Sequence, residues 1–346
     1  MSIKITRRSF TLGASAALSI GAGTGFSHAA TGDVVVGTWG GDYQTLLQKN
    51  VADAISKPAG LGVTMDTASE PVRKTKILSE RRLPRGSLDV ATFTSPASYE
   101  MWKSGALEEL DDVKIPNLKH VLPILRTPYA IPHIYTGRVI LYNPKFITTK
   151  PTSYADLWKP EYAGKVGLID IQYQTTIESA AMINGGTLSN IEPGKEKLLE
   201  LKKLGAKIYP TNEAMAQALK NEECAICIMW LARGVMWQKA GIPVEVAYPK
   251  EGVVLYISEI AVPKNARNKP GAFAFLNDVL APAPQIAFAT TMGYSPTVDN
   301  SGIDAPLASS VALPPEAQKN ALKQDYEYLA NNDAQFLDWW TKVFKS

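Results

Sequence analysis

Trp39-Gly40-Gly41-Asp42-Tyr43 sets two aromatic rings, two glycines and a carboxylate side by side, directly after the β-branched run Val34-Val35-Val36. Glycines at such a point let backbone N–H groups approach a bound group at a helix start, and the rings offer apolar faces with polar edges. Asp42 can hold an amino group, or it can cap a helix that begins at Tyr43. Two arginines stand out further on: Arg138, directly after Gly137, and Arg233, three residues after Trp230. Arginine stays charged and suits bidentate pairing with carboxylate or phosphate, an internal salt bridge being the alternative for each. This is the chemistry of recognition. The signals of turnover are missing, since His120 and His133 stand in no nucleophile–base pattern and neither G-x-S-x-G nor H-E-x-x-H occurs. Gly37-x-x-Gly40-Gly41 lacks the G-x-G-x-x-G and the Lys-[Ser/Thr] ending of nucleotide loops. Cys224 and Cys227 lack a second Cys/His pair to complete a zinc site. In an extended run they stand ~10 Å apart, beyond the ~7 Å reach of a disulfide, which predicts two buried free thiols. No catalytic residue, cofactor or metal is expected.

These residues need a scaffold, and the chain is long enough for one. It has 346 residues, 45% hydrophobic and 20% charged, which predicts a globular fold of two domains or lobes. Residues 1–29 read as a leader: Lys4, Arg7 and Arg8 precede a small-residue apolar stretch and the exit Ser27-His28-Ala29. The adjacent arginines followed by Ser9-Phe10 match the twin-arginine export pattern. Lys+Arg 36 against Asp+Glu 33 gives a net charge of +3, and loss of the leader's three basic residues brings the mature chain to balance. A nucleic-acid role is excluded on that charge. The basic run Arg73-Lys74 to Arg85 reads as the solvated face of a helix, or as a surface for a membrane partner.

β-Branched runs alternate with helical spacing: a strand at Asp33–Trp39, a helix over Tyr43–Ser56, a strand near Val63–Thr67, a helix over Val72–Arg81, a strand at Leu88–Thr92 and a helix over Ser98–Ser104. A second block of the same kind spans Val166–Met229. Such alternation predicts α/β sheets with parallel strands. Two extended runs, Tyr129–Asn143 and Val253–Pro263, are placed to carry the chain from one lobe to the other and back.

Along essentially its whole mature length the chain resembles bacterial extracellular solute-binding proteins of the spermidine/putrescine-binding type, the receptors of ABC importers. The resemblance rests on Thr38–Tyr43, Asp89–Ser95, Tyr129-Ala130-Ile131-Pro132, Leu141-Tyr142-Asn143, Tyr154–Trp158, Tyr162–Val166, Tyr248–Gly252 and Ile260–Ala266, in that order. It implies an α/β, two-lobe periplasmic-binding-protein fold of type II, with crossing hinge strands and a ligand cleft between the lobes. It further implies lobe 1 over 30–136 with 258–306 and lobe 2 over 137–257 with 307–346. A periplasmic monomer that passes a small-molecule ligand to a membrane permease is the expectation, with no enzyme activity.

In relatives that bind polyamines, aromatic rings flank the ligand and carboxylates pair with its ammonium groups. Carried over, Trp39, Tyr43, Thr94, Ser95, Trp230 and Tyr294 form the shared scaffold, with Gly40, Gly41, Asp42, Tyr135, Gln174 and Tyr256 as further candidates. The departures concern charge. Where the polyamine binders resemble one another in having Asp, this chain has Arg233, and Ser258 replaces a second Asp. A third acidic position falls somewhere in Asp170–Gln174. With Arg138 added, a polyamine is disfavoured, because an arginine against a desolvated ammonium is repulsive. The expected ligand carries a carboxylate, as in an amino acid derivative or an opine-like conjugate. Asp42 and Glu259 are candidates for its amino or hydroxyl groups, although Glu259 alternates with Ser258 and faces the other way. A polyamine remains the alternative; a ferric-ion carrier is disfavoured, since no adjacent tyrosine pair occurs.

Overall fold

A computed structural model describes residues 32–110 and 112–346. The expected leader, 1–29, lies outside the described residues. Eleven strands form the sheet framework: β1 (Gly32–Thr38), β2 (Leu61–Thr67), β3 (Val90–Thr94), β4 (Ile131–Tyr142), β5 (Val166–Ile169), β6 (Lys207–Tyr209), β7 (Ile226–Trp230), β8 (Glu245–Ala247), β9 (Val253–Ala261), β10 (Ser295–Pro296) and β11 (Ala321–Leu322). The main order is β2-β1-β3-β9-β4-β7-β5-β6. β1 runs parallel to β2 and β3, and β5 runs parallel to β6 and β7. Between these two parallel blocks stand β4 and β9, antiparallel to each other, with β9 antiparallel to β3 and β4 antiparallel to β7.

β4 is the crossing strand. Its Ile131–Gly137 part pairs with β9, and from Arg138 to Tyr142 it pairs with β7. A two-residue side-chain period gives each block two packed faces. Val34, Val36 and Val90 point into one cluster with Leu47 and Phe275, while Ala91 and Phe93 point into another with Ile77 and Met101. In the second block Val139, Leu141 and Met229 continue the first cluster, and Ile140, Tyr142 and Ile228 enter a third with Leu329, Phe336 and Trp340. One apolar core therefore runs through the crossing. The C-terminal helix Tyr326–Trp339 belongs to the second block's core. Its first turn reaches the first block, where Tyr326 lies 6.4 Å from Tyr99 and Glu327 pairs with Lys103 at 3.5 Å.

Two local expectations are corrected. The first helix starts at Gly41, so Asp42 lies inside its first turn and caps nothing; the N-cap position is Gly40. Arg73 is not on a solvated face, being only 1% exposed. It lies along β1, where the missing side chain of Gly37 makes room: a Cβ there would stand 2.8 Å from Arg73 Cδ. Cys224 and Cys227 are buried and unbridged.

Helix Glu192–Lys203 packs on helix Tyr173–Met182 through Gly194, where an added Cβ would collide with the Ile177 carbonyl. Backbone cannot yield as a side-chain tip can. Gly194→Ala is therefore expected to lower stability by about 1–3 kcal/mol, read as a lower urea midpoint at unchanged slope.

Candidate functional site

A cleft lies where the C-terminal ends of the parallel strands from the two blocks face each other. Its outer space of about 720 Å³ is bounded by Trp39, Glu70 and Thr94 on one side and by Tyr173, Gln174 and Asp333 on the other. An inner space of about 240 Å³ shares Thr94 and Gln174 and extends to Trp230 and Tyr256. Openings beyond the carboxyl ends of strands are where α/β sheets gather ligands, because loops and helix starts converge there.

Each wall is set by local structure. Thr94 ends β3 at the N-cap of helix Ser95–Lys103, and its N–H and hydroxyl donate to Glu70 at 2.6 and 3.2 Å. Burial raises the Glu70 pKa against those hydrogen bonds and the nearby Arg73 and Lys74 charges. Trp230 ends β7 at the start of helix Leu231–Lys239, and its ring lies 4.9 Å from that of Tyr256, tilted by 33°. Arg73 works from behind: Nε donates to Thr92 O at 3.0 Å and Nη1 to Thr38 O at 2.9 Å, and the guanidinium sits 5.1 Å from the Trp39 ring centroid. It thus ties the ends of β1 and β3 together and supports the aromatic ring at the cleft.

The two arginines separate. Arg138 is fully buried, pairs with the equally buried Glu178 and donates to Ser179 at 3.3 Å. Its charge is neutralised inside the protein, which corrects the expectation that it meets a ligand carboxylate. Arg233 is held loosely, 3.5 Å from a Glu213 whose side chain is 71% exposed, and its buried Nε has no hydrogen-bond partner. Its charge acts on the phenols of Tyr256 and Tyr294. Arg233 itself lines neither space, but Tyr256, on which its charge acts, lines the inner one.

Of the other candidates, Trp39, Thr94, Gln174, Trp230 and Tyr256 line the cleft. Tyr43, Ser258 and Tyr294 are buried, with the Tyr43 phenol 2.6 Å from His133 Nδ1 and close to Ser258. Tyr294 stands 6.3 Å from Tyr256. Ser95 is buried and donates to Ile257 O at 3.4 Å; Tyr135 is partly buried beside Ser295. Gly40, Gly41 and Asp42 are exposed, and none of them lines either space. Glu259 faces away from Ser258, accepts from Ser98, is fully buried and lines neither space. Unforeseen from the sequence are Glu70, Asn212, Gln324 and Asp333, while Gln172 falls in the Asp170–Gln174 window. Asp333 accepts from Tyr173 and, at 2.6 Å, from Gln174 Nε2, and it has no cation partner among the described residues. Among those residues no three His, Cys, Asp or Glu converge to hold a metal ion.

Burial raises the Glu259 pKa to about 7, against hydrogen bonds from Ser98 and Ser95 and the charge of Lys323. The folded protein keeps that proton where the unfolded chain has lost it, so Glu259 makes stability fall as pH rises from about 4.5 to 7. Burial lowers the His133 pKa to about 3, which makes stability fall as pH drops from 6.5 toward 3. The two slopes oppose each other between pH 4.5 and 6.5. Glu259→Gln is expected to steepen the rise of Tm with pH up to about 6.5 and to remove the decline toward pH 7. An unchanged Tm–pH profile would contradict this account of Glu259.

Comparisons with known proteins agree with this architecture. Residues 50–315 match the family described as bacterial extracellular solute-binding protein. The spermidine/putrescine-binding periplasmic protein of Escherichia coli K12 is 29% identical over 296 residues, covering 82% of each chain. Among solved structures, one described as a GABA receptor superposes with TM-score 0.80 at 22% identity, covering 91% of this chain and 98% of its own. The PBP AgtB of A. tumefaciens R10, in complex with agropinic acid, gives TM-score 0.72 at 20% identity over 91% and 99% of the chains. The chain belongs to the bacterial extracellular solute-binding proteins, the substrate-binding components of ABC importers.

Proposed function

We propose that this protein is exported to the periplasm and captures a small ligand bearing a carboxylate, such as an amino acid derivative or an opine-like conjugate. Capture proceeds by closure of two lobes, 30–136 with 258–306 and 137–257 with 307–346. The loaded form is presented to the importer's membrane permease. Closure brings groups from both lobes onto the ligand and removes water, so binding shifts the open–closed equilibrium.

The observation that carries this reading is Arg233. Its Nε is buried without a partner and its one acid, Glu213, is exposed and distant for a salt bridge at 3.5 Å. A carboxylate entering the inner space, beside the paired rings of Trp230 and Tyr256, supplies an acceptor for it. GABA and agropinic acid, named with two structures of the same fold, both carry a carboxylate. A second reading, polyamine capture, draws on the relatives named for spermidine and putrescine and on Glu70 and Asp333 at the outer cleft. Against it, an ammonium deep in the cleft would meet the Arg233 charge.

A thermal-shift panel of polyamines, amino acids, opine-type conjugates and small dicarboxylates separates the two. Ligand at a hundredfold excess over Kd adds ~2.7 kcal/mol of stability, so the true class should raise Tm by several degrees. A carboxylate is expected to be the best hit, and Arg233→Ala is expected to weaken it about thirtyfold or more, measured by calorimetry. Putrescine or spermidine as the best hit, or unchanged affinity in Arg233→Ala, would overturn the carboxylate reading.

A further inference from the structure

The inner space also indicates what the ligand carries besides a carboxylate. Three glutamines line it: Gln172, Gln174 and Gln324. Each has its amide nitrogen engaged within the protein. Gln172 Nε2 donates to Asn212 Oδ1 at 2.7 Å, Gln174 Nε2 to Asp333 Oδ1 at 2.6 Å, and Gln324 Nε2 to Glu178 Oε1 at 2.9 Å. An amide whose nitrogen is committed has its carbonyl oxygen to offer.

Gln172 takes this furthest. Its side chain lies in a residue only 8% exposed, and its Oε1 is buried with no hydrogen-bond partner. Nε2 also contacts Met229 Sδ at 3.8 Å, a weak acceptor that suits a nitrogen there. Buried acceptors without donors are rare in folded proteins, because desolvation is not recovered. Gln172 is also one of the residues that line the inner space.

We infer that Gln172, oriented by Asn212, is a specificity-determining acceptor for an N–H or O–H group on the ligand, making the ligand an amino- or hydroxy-substituted carboxylate rather than a plain one. The carboxylate half of this statement rests on the reading of Arg233 above; the acceptor half does not. Asn212, which orients Gln172, and Glu213, which pairs with Arg233, are neighbours in the chain.

Calorimetric titration of the mature protein with glutarate, 2-hydroxyglutarate, L-glutamate and butane-1,4-diamine tests the inference. L-Glutamate or 2-hydroxyglutarate is expected to bind at least tenfold more tightly than glutarate. In Gln172→Met that ratio should collapse toward one. Gln172→Glu, which keeps the size and checks against simple misfolding, should favour L-glutamate over 2-hydroxyglutarate. Equal binding of all three carboxylates by the unaltered protein, or a ratio that survives Gln172→Met, would overturn the acceptor role while leaving Arg233 in place. Tight binding of butane-1,4-diamine alone, weakened tenfold by Gln172→Met, would keep the acceptor role and overturn the carboxylate. Binding of none of the four would overturn both.

Discussion

The buried pair Arg138–Glu178 is the contact on which the rest of the cleft depends. It forms at the residue where β4 leaves β9 and takes up β7, so it sits at the junction of the two parallel blocks. Both side chains are essentially inaccessible to water. Removing one partner from such a pair typically costs ~3–5 kcal/mol, because the survivor is left charged and unpaired in a poor solvent. Glu178 also accepts two hydrogen bonds from Gln324 on the C-terminal segment, at 2.9 and 3.1 Å. Arg138 in turn lies 5.9 Å from the ring centroid of Trp230. Crossing strand, helix Tyr173–Met182, C-terminal segment and cleft aromatic are thus fixed relative to one charge pair.

Arg73 performs a related task in the other block by a different means. Among the described residues it has no direct acid partner, and it is held by strand-end carbonyls, with one face toward Trp39. Three arginines therefore occupy three environments around one cleft. One is paired with a buried acid in the core, one is spread over backbone carbonyls, and Arg233 has a single loose contact with an exposed acid; each keeps one buried nitrogen without a partner. Glu70 and Asp333 border the outer cleft together with Lys74 and Lys345, whereas the residues that line the inner space are uncharged.

Much of the framework could be read from the chain because it depends on local pattern. The β-branched runs gave β1, β3 and β7, and the two long extended segments are the strands that join the blocks. Aromatics placed at strand ends, such as Trp39 and Trp230, do border the cleft. What the sequence hid depends on distant partners. Arg138 and Arg233 are alike in type, and they part only because Glu178 lies across a tertiary contact 40 residues away. Arg73 sits in a run of basic residues whose others suggest water, and its burial follows from a groove over Gly37. Asp333 reaches the cleft on a helix 160 residues beyond Tyr173, with no local signal to mark it. Gln172 lay in a window already suspected, but an amide becomes informative only once its nitrogen is seen to be engaged.

Closure sharpens the difference between these groups. An exposed guanidinium keeps its water shell and gains little from one more acceptor, whereas a desolvated one must be answered by an anion or destabilise the closed form. The Gln172 carbonyl is already buried in this structure without a hydrogen-bond partner. A ligand that satisfies Arg233 but leaves Gln172 without a donor would close the protein at the cost of a buried orphan acceptor, and a ligand with the reverse pattern would leave a buried charge. Because the charge is the costlier omission, in the proposed reading Arg233 sets the class of ligand and Gln172 discriminates within that class.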